Sequence, residues 1–69
     1  MTRHEQRLAL ALDMRNRAAS MTRTALVLEN RGVLVRHEAQ TLVTAAKALY
    51  AASHDLERDA IAVAQEYAA

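Results

Sequence analysis

The sequence predicts an all-α fold, an antiparallel helical hairpin that pairs with a second copy of itself to form a four-helix bundle. Apolar residues make up 52% of the 69 residues, yet Pro, Cys, Trp and Phe are absent and Gly occurs once, so few positions favour a turn. Small and large apolar residues recur every seven positions in both halves of the chain, which is typical of packed helices. The glycine lies between these halves. We therefore expect residues 1–69 to form a single helical-hairpin domain.

Helix 1 has a recognisable start and a periodic apolar row. Thr2 and Glu5 match the capping-box pattern, in which the hydroxyl accepts from the amide three residues later and the carboxylate reaches back to the first amide. We therefore expect helix 1 to cover about 3–31. Its seam alternates small and large side chains, which allows a second helix to approach closely. The seam positions are Ala11, Met14, Ala18, Met21, Ala25 and Leu28.

The single glycine marks the turn. Gly32 can adopt the left-handed conformation that ends a helix in a Schellman motif. Such a motif predicts an apolar contact between Leu28, in the last helical turn, and Val33, just after the glycine. We expect the turn at 30–32 and an antiparallel return, because short connections join antiparallel neighbours.

Helix 2 is predicted over about 33–67 by two rows of residues that repeat every seven positions. The row of large residues is Val35, Leu42, Leu49, Leu56 and Val63. The second row, mostly of small residues, is Ala39, Ala46, Ser53, Ala60 and Tyr67. Ser53 and Asp55 favour helix ends over helix interiors, so a break near Ser53 is an alternative. The repeat passes through Ser53 without a shift, which favours a continuous helix.

Helix 1 carries more apolar surface than one neighbouring helix can cover. Beside its seam runs a second stripe, formed by Leu8, Leu12, Ala19 and Leu26. A single antiparallel partner covers a narrow seam, and exposed apolar patches mark association sites. The simplest closure is a two-fold homodimer, a four-helix bundle. The alternative is a hairpin that keeps this stripe for a foreign partner.

Charge is divided unequally between the two halves. The first half holds six arginines against three carboxylates, and the second half holds three cations against five carboxylates. The simplest interpretation is that oppositely charged helices pair along the edges of the seam. The alternative is a basic face that binds nucleic acid or an acidic partner.

The sequence favours a cytoplasmic protein. No apolar run approaches the roughly 18 residues that a membrane span requires. The apolar segment 8–12 is followed at once by Asp13 and Arg15, so it does not resemble a signal peptide. Absence of cysteine is consistent with a reducing compartment.

Catalytic and cofactor patterns are incomplete in this sequence. His37 and Glu38 begin like the zinc-protease motif, but Thr41 occupies the position of the second histidine, and two ligands do not hold a catalytic zinc. Ser20 and Ser53 have no evident base and orienting acid, and one glycine cannot build a phosphate-binding loop. We expect a protein that is not an enzyme and that binds no cofactor and no metal.

Four residues are candidates for contact with a partner. Tyr50 follows the seam residue Leu49 and is either a boundary residue with a wet hydroxyl or an interface anchor, a role in which tyrosine is favoured. Val27 lies opposite the seam of helix 1, on the outer surface that also carries Arg23 and Arg31. These residues could form a docking patch.

The chain resembles two families of small helical hairpins. The opening Met1-Thr2-Arg3, the alternating seam of helix 1 and the single tight turn are similar to the Rop plasmid copy-number regulator. That resemblance implies a dimeric hairpin that binds paired RNA loops.

The second resemblance is to the quorum-sensing anti-activator of Mu-like phages of Pseudomonas, a small early phage protein that is also a dimeric helical hairpin. The similarity lies in the size, the turn Asn30-Arg31-Gly32 and the composition, which is rich in Arg and Ala and free of Cys. It implies inhibition by binding, through occlusion of the DNA-binding domain of a LuxR-type activator and separately through blocking of the type IV pilus assembly ATPase. A plain oligomerisation module is a third hypothesis.

Overall fold

The protein folds into two long helices that pack against each other as a hairpin. The computed structural model describes residues 2–68, except for the side chains at 64 and 66–68. Helix α1 extends over Arg3–Asn30 and helix α2 over Arg36–Ala68, and residues 2–68 contain no strand. The hairpin measures 54 × 19 × 10 Å. The predicted all-α hairpin is confirmed.

Helix α1 begins where the capping pattern predicts. The amide of Glu5 donates to the Thr2 hydroxyl oxygen at 3.3 Å, which satisfies one of the free amides of the first turn. The Glu5 carboxylate accepts a hydrogen bond from the same hydroxyl at 2.9 Å rather than from the Thr2 amide. The cap therefore forms with one of the two predicted bonds and a different second one.

The turn is a Schellman motif centred on Gly32, which has a φ of 75°. The amide of Gly32 donates to the carbonyl of Glu29 at 3.0 Å, and the amide of Val33 donates to the carbonyl of Leu28 at 2.9 Å. The amide of Leu34 also donates to Leu28, at 3.2 Å. The Val33 side chain stays 65% exposed, so the predicted apolar contact buries little of it.

Helix α2 begins three residues later than predicted. Residues 33–35 are not helical, because the amides of Val33 and Leu34 are directed back to the carbonyl of Leu28. The carboxylate of Glu38 then accepts from the amide of Val35 at 3.0 Å and caps the start of α2. Val35, assigned to the seam from its spacing, thus precedes the helix and is 62% exposed.

Small side chains line the contact between the helices. The buried positions share the seven-residue spacing and are Ala11, Ala18, Ala25, Ala39, Ala46, Ser53 and Ala60. The absence of bulk at these positions allows close approach of the two backbones. Tyr67, the last position of the same row, lies outside the described side chains.

Helix α2 passes through Ser53 without a break. The Ser53 hydroxyl donates to the carbonyl of Tyr50 at 2.6 Å, one turn earlier in the same helix. A buried serine bonded in this way keeps its hydroxyl satisfied without interrupting the helix. The alternative of a broken second helix is therefore wrong.

Candidate protein-binding surfaces

The hairpin has two flanks, and helix geometry assigns residues to each. A residue four positions after a buried one is rotated about 40° to one side of the seam, and a residue three positions after it about 60° to the other side. In an antiparallel pair, equivalent positions of the two helices share a side. Arg15, four after Ala11, accordingly reaches Ser53 and Glu57 of α2, and Glu57 is four after Ser53.

One flank, which we call the groove side, contains an open groove of about 700 Å³ between the helices. Alanines form much of its floor, and longer side chains form its walls. The lining residues are Ala18, Ala19, Thr22, Arg23, Ala46, Lys47, Tyr50, Ala51, His54 and Asp55. A floor of methyl groups lets another backbone approach closely.

Tyr50 is the aromatic side chain of this groove. It remains 48% exposed, and its ring meets the His54 ring edge to face, with the centroids 4.8 Å apart and the planes at 72°. This arrangement suits the opposite charges of an aromatic face and edge. A half-exposed tyrosine is suited to anchoring a partner.

The groove carries positive charge. Among the described side chains, neither Arg23 nor Lys47 forms an ion pair with a carboxylate. Asp55, which also lines the groove, forms an ion pair with Arg58, with 2.7 Å between Oδ1 and Nη2. Arg23 and Lys47 are therefore available to an incoming acidic group.

A polar cluster adjoins the groove and connects the two helices. Arg15 donates from Nε to the Ser53 hydroxyl and from Nη2 to the His54 ring Nδ1, each at 3.2 Å. The same guanidinium forms an ion pair with Glu57. This is the one ion pair between α1 and α2 among the described residues, because the pairs of Arg17 with Asp13 and Arg58 with Asp55 lie within a helix.

Sequence reasoning missed this cluster. Arg15 and Glu57 each lie four positions after a small seam residue, and that shared position is the signal that could have paired them. The predicted pairing of charges along the seam is thus represented by a single contact between the helices in the described structure.

The four predicted partner-binding residues fall at two places. Arg23 and Tyr50 share the groove, one on each helix. Val27 lines a shallow depression nearer the turn, together with Leu26, and Arg31 is exposed at the end of α1. The structure thus unites Arg23 and Tyr50 and places Val27 and Arg31 towards the tip of the hairpin.

The surplus apolar stripe of α1 belongs to the groove side. Leu12 and Leu26 are 58% and 52% exposed, Ala19 lines the groove, and Leu8 is half-buried. The hairpin alone therefore leaves this stripe largely in water. Such exposure is typical of an association surface.

The opposite flank, which we call the leucine side, carries the residues three positions after each buried one. They are Met14, Met21, Leu28, Leu42, Leu49, Leu56 and Val63. All seven are half-buried, so the largest seam side chains are covered on one face and remain accessible on the other.

Among the side chains that the structure describes, no three from His, Asp or Glu are grouped so that they could hold a metal ion. Neither described helix has a stretch apolar enough to cross a membrane. Comparisons with known protein families, characterised proteins and solved structures find no match for this chain.

Proposed function

We propose that this chain is a small inhibitory binding protein of the phage type, which acts as a homodimer in the cytoplasm by covering a surface of a larger protein. The observation that carries the proposal is the groove side. It combines an alanine floor, an exposed Tyr50 and two cations, Arg23 and Lys47, that have no acidic partner in the described structure.

These features favour a protein target. Tyrosine and arginine are enriched among the residues that dominate binding energy at protein interfaces. The apolar floor excludes water from the centre of a contact, and the cations at its walls select a surface with carboxylates beside apolar side chains.

The resemblance to the phage anti-activator indicates which target to test first. The DNA-binding domain of a LuxR-type activator is the first candidate, and the type IV pilus assembly ATPase is the second. Occlusion of such a domain needs no chemistry from the inhibitor, which agrees with the lack of a complete catalytic pattern in the sequence.

The test is a competition experiment with purified components. The activator's DNA-binding domain is bound to a labelled operator duplex, the chain is added, and loss of DNA binding is followed by fluorescence anisotropy. We expect inhibition by the native chain. Tyr50→Ala should weaken it by at least about tenfold, because truncating an anchoring tyrosine removes a large part of the contact energy.

Arg23→Ala and Arg36→Ala form a matched pair. Arg23 lines the groove, whereas Arg36 is exposed in the first turn of α2 and does not line the groove. Arg23→Ala should weaken inhibition and Arg36→Ala should leave it unchanged. Equal inhibition by all variants, or direct binding of the chain to the labelled DNA, would contradict the proposal.

Nucleic-acid binding of the Rop type is the competing function, favoured by the two cations without carboxylate partners. It predicts an affinity for RNA or DNA that falls steeply with added salt, because bound counterions are released. A plain oligomerisation module would instead bind neither the target nor nucleic acid.

A further inference from the structure

The leucine side is the second uncovered surface of the hairpin, and it differs in kind from the groove. Its seven half-buried side chains are all Met, Leu or Val, whereas the fully buried positions of the seam are all Ala or Ser. The large side chains therefore lie along one flank of the contact between α1 and α2 instead of filling it.

We propose that a second copy of this chain covers the leucine side, about a two-fold axis that runs parallel to the helices. In this arrangement α1 of one copy packs against α2 of the other. The groove sides face outward, so the apolar stripe of α1, which the sequence pattern assigned first to the dimer, stays available to a foreign partner. The inference depends on the homodimer of the proposed function and adds to it the face and the direction of the axis.

The edges of the leucine side carry opposite charges. Residues that immediately precede a seam position lie at these edges. In the first half of the chain these positions include Arg3, Arg17, which is paired with Asp13, and Arg31, just past the end of α1, with no carboxylate among them. On described α2 they include Glu38 and Asp59, with no cation. An axis parallel to the helices sets the basic edge of each copy against the acidic edge of the other. An axis across the helices would set arginines against arginines.

The register of the hairpin identifies which residues would meet. The hydrogen bond between Arg15 and Ser53 places these two residues at the same height. Sixteen residues further along α1 is Arg31, and sixteen residues back along α2 is His37, next to Glu38. A two-fold axis parallel to the helices preserves height. Arg31 of one copy therefore lies opposite the region of Glu38 in the second copy, within about one 5.4 Å helical turn, because the long Arg15 side chain sets the register to about that precision.

The outline of the hairpin is large enough to accommodate a dimer interface of standard size. The hairpin presents a face of 54 by 19 Å, which is of the order of the ~800 Å² per partner that standard interfaces bury. The face is apolar along its middle and charged at its rims, the usual arrangement of an interface. It is also self-complementary, as a two-fold contact requires.

Charge reversal tests the pairing, with molecular mass measured by sedimentation equilibrium at several concentrations. Arg31→Glu and Glu38→Arg should each weaken the dimer by roughly fivefold to tenfold, because each change sets like charges together at two symmetric places. The double variant Arg31→Glu with Glu38→Arg should return the dissociation constant to within about twofold of native. Arg58→Glu, a matched reversal on the outer surface of α2, should leave the dimer unchanged.

Crosslinking provides a measurement that does not depend on these energies. The chain has no cysteine, so introduced thiols are the sole targets of a short bismaleimide. A mixture of Arg31→Cys chains and Glu38→Cys chains should give a covalent dimer, and each variant alone should not, whereas both thiols on one chain could be linked within the same hairpin. Because the Glu38 carboxylate also caps the start of α2, thermal denaturation followed by circular dichroism checks that every variant remains helical and measures the stability that is lost with the cap.

Three results would overturn the inference: a monomeric native chain at tens of micromolar, a double charge reversal that is no better than the single changes, or no covalent dimer from the mixture of the two single-cysteine variants. If one of these results is found and the chain still inhibits the activator, the dimer arrangement is wrong and the proposed target-binding function is retained. A dimer that shows the expected pairing but does not inhibit the activator would support the dimer arrangement and contradict the proposed function.

Discussion

The two flanks of this hairpin are built from the same repeat but have different surfaces. On the leucine side, every position three after a buried residue of the seam, from Met14 to Val63, is a large aliphatic residue. On the groove side, the positions four after include Arg15, Thr22, Val43, Tyr50 and Glu57, which vary in size and charge. A uniform apolar flank suits a copy of itself, and a varied flank suits a specific foreign surface.

Both flanks depend on the shared seam, so a change that disrupts the seam should abolish both surfaces. Ala18→Glu places a carboxylate at a position that is 3% exposed between the two helices. We expect a loss of about 3 kcal/mol or more in the free energy of unfolding, because the charge must be buried unpaired or the helices must separate. Thermal denaturation followed by circular dichroism measures it. Ala9→Glu, at an exposed position of α1, is the control, and an equal melting temperature for both variants would show that the seam is misassigned.

A truncation on each flank separates their roles. Leu49→Ala removes part of a half-buried side chain on the leucine side and should cost about 1–2 kcal/mol, seen as a lower melting temperature and a weaker dimer. Tyr50→Ala, the next residue along, should leave the dimer unchanged and reduce target binding. Sedimentation and melting at two protein concentrations distinguish them. If instead Leu49→Ala reduced target binding and Tyr50→Ala weakened the dimer, the roles of the two flanks would have to be exchanged.

The smallest expected effect concerns the polar cluster beside the groove. Arg15 and Glu57 are partly exposed, with 24% and 35% of their side chains accessible, so their ion pair is screened by solvent. A double-mutant cycle of Arg15→Met and Glu57→Gln should give a coupling below about 1 kcal/mol that decreases with added salt. Urea denaturation at low and high salt measures it. A coupling that is large and insensitive to salt would mean that the cluster is a principal clamp between the helices.

Much of the fold could be predicted because its signals are local. Thr2 and Glu5 mark the start of α1, Gly32 marks its end, and both lie within a few residues of the structure that they specify. The seven-residue pattern predicts the start of α2 three residues too early. The amides of Val33 and Leu34 both donate to the carbonyl of Leu28, and the pattern does not reveal these hydrogen bonds.

The candidate site was less predictable. Tyr50 and Arg23 were selected one at a time, and nothing in the spacing of one helix shows that both line the same groove. The contacts of Arg15 with Ser53 and His54 join residues far apart in the chain, so no local pattern around Arg15 predicts them.

The amino-acid order by itself specifies two helices, a left-handed glycine between them and a row of small residues that faces inward, because each of these follows from the 3.6-residue turn or from the conformation of one residue. The packed hairpin adds the relative height of the two helices. That height sets Arg15 beside Ser53, places Arg23 and Tyr50 in the same groove and leaves the large aliphatic side chains half covered on the other flank. The relative height of the two helices depends on how the turn and the alanine contacts fit together. It is therefore a property of the pair of helices and cannot be read from either helix alone.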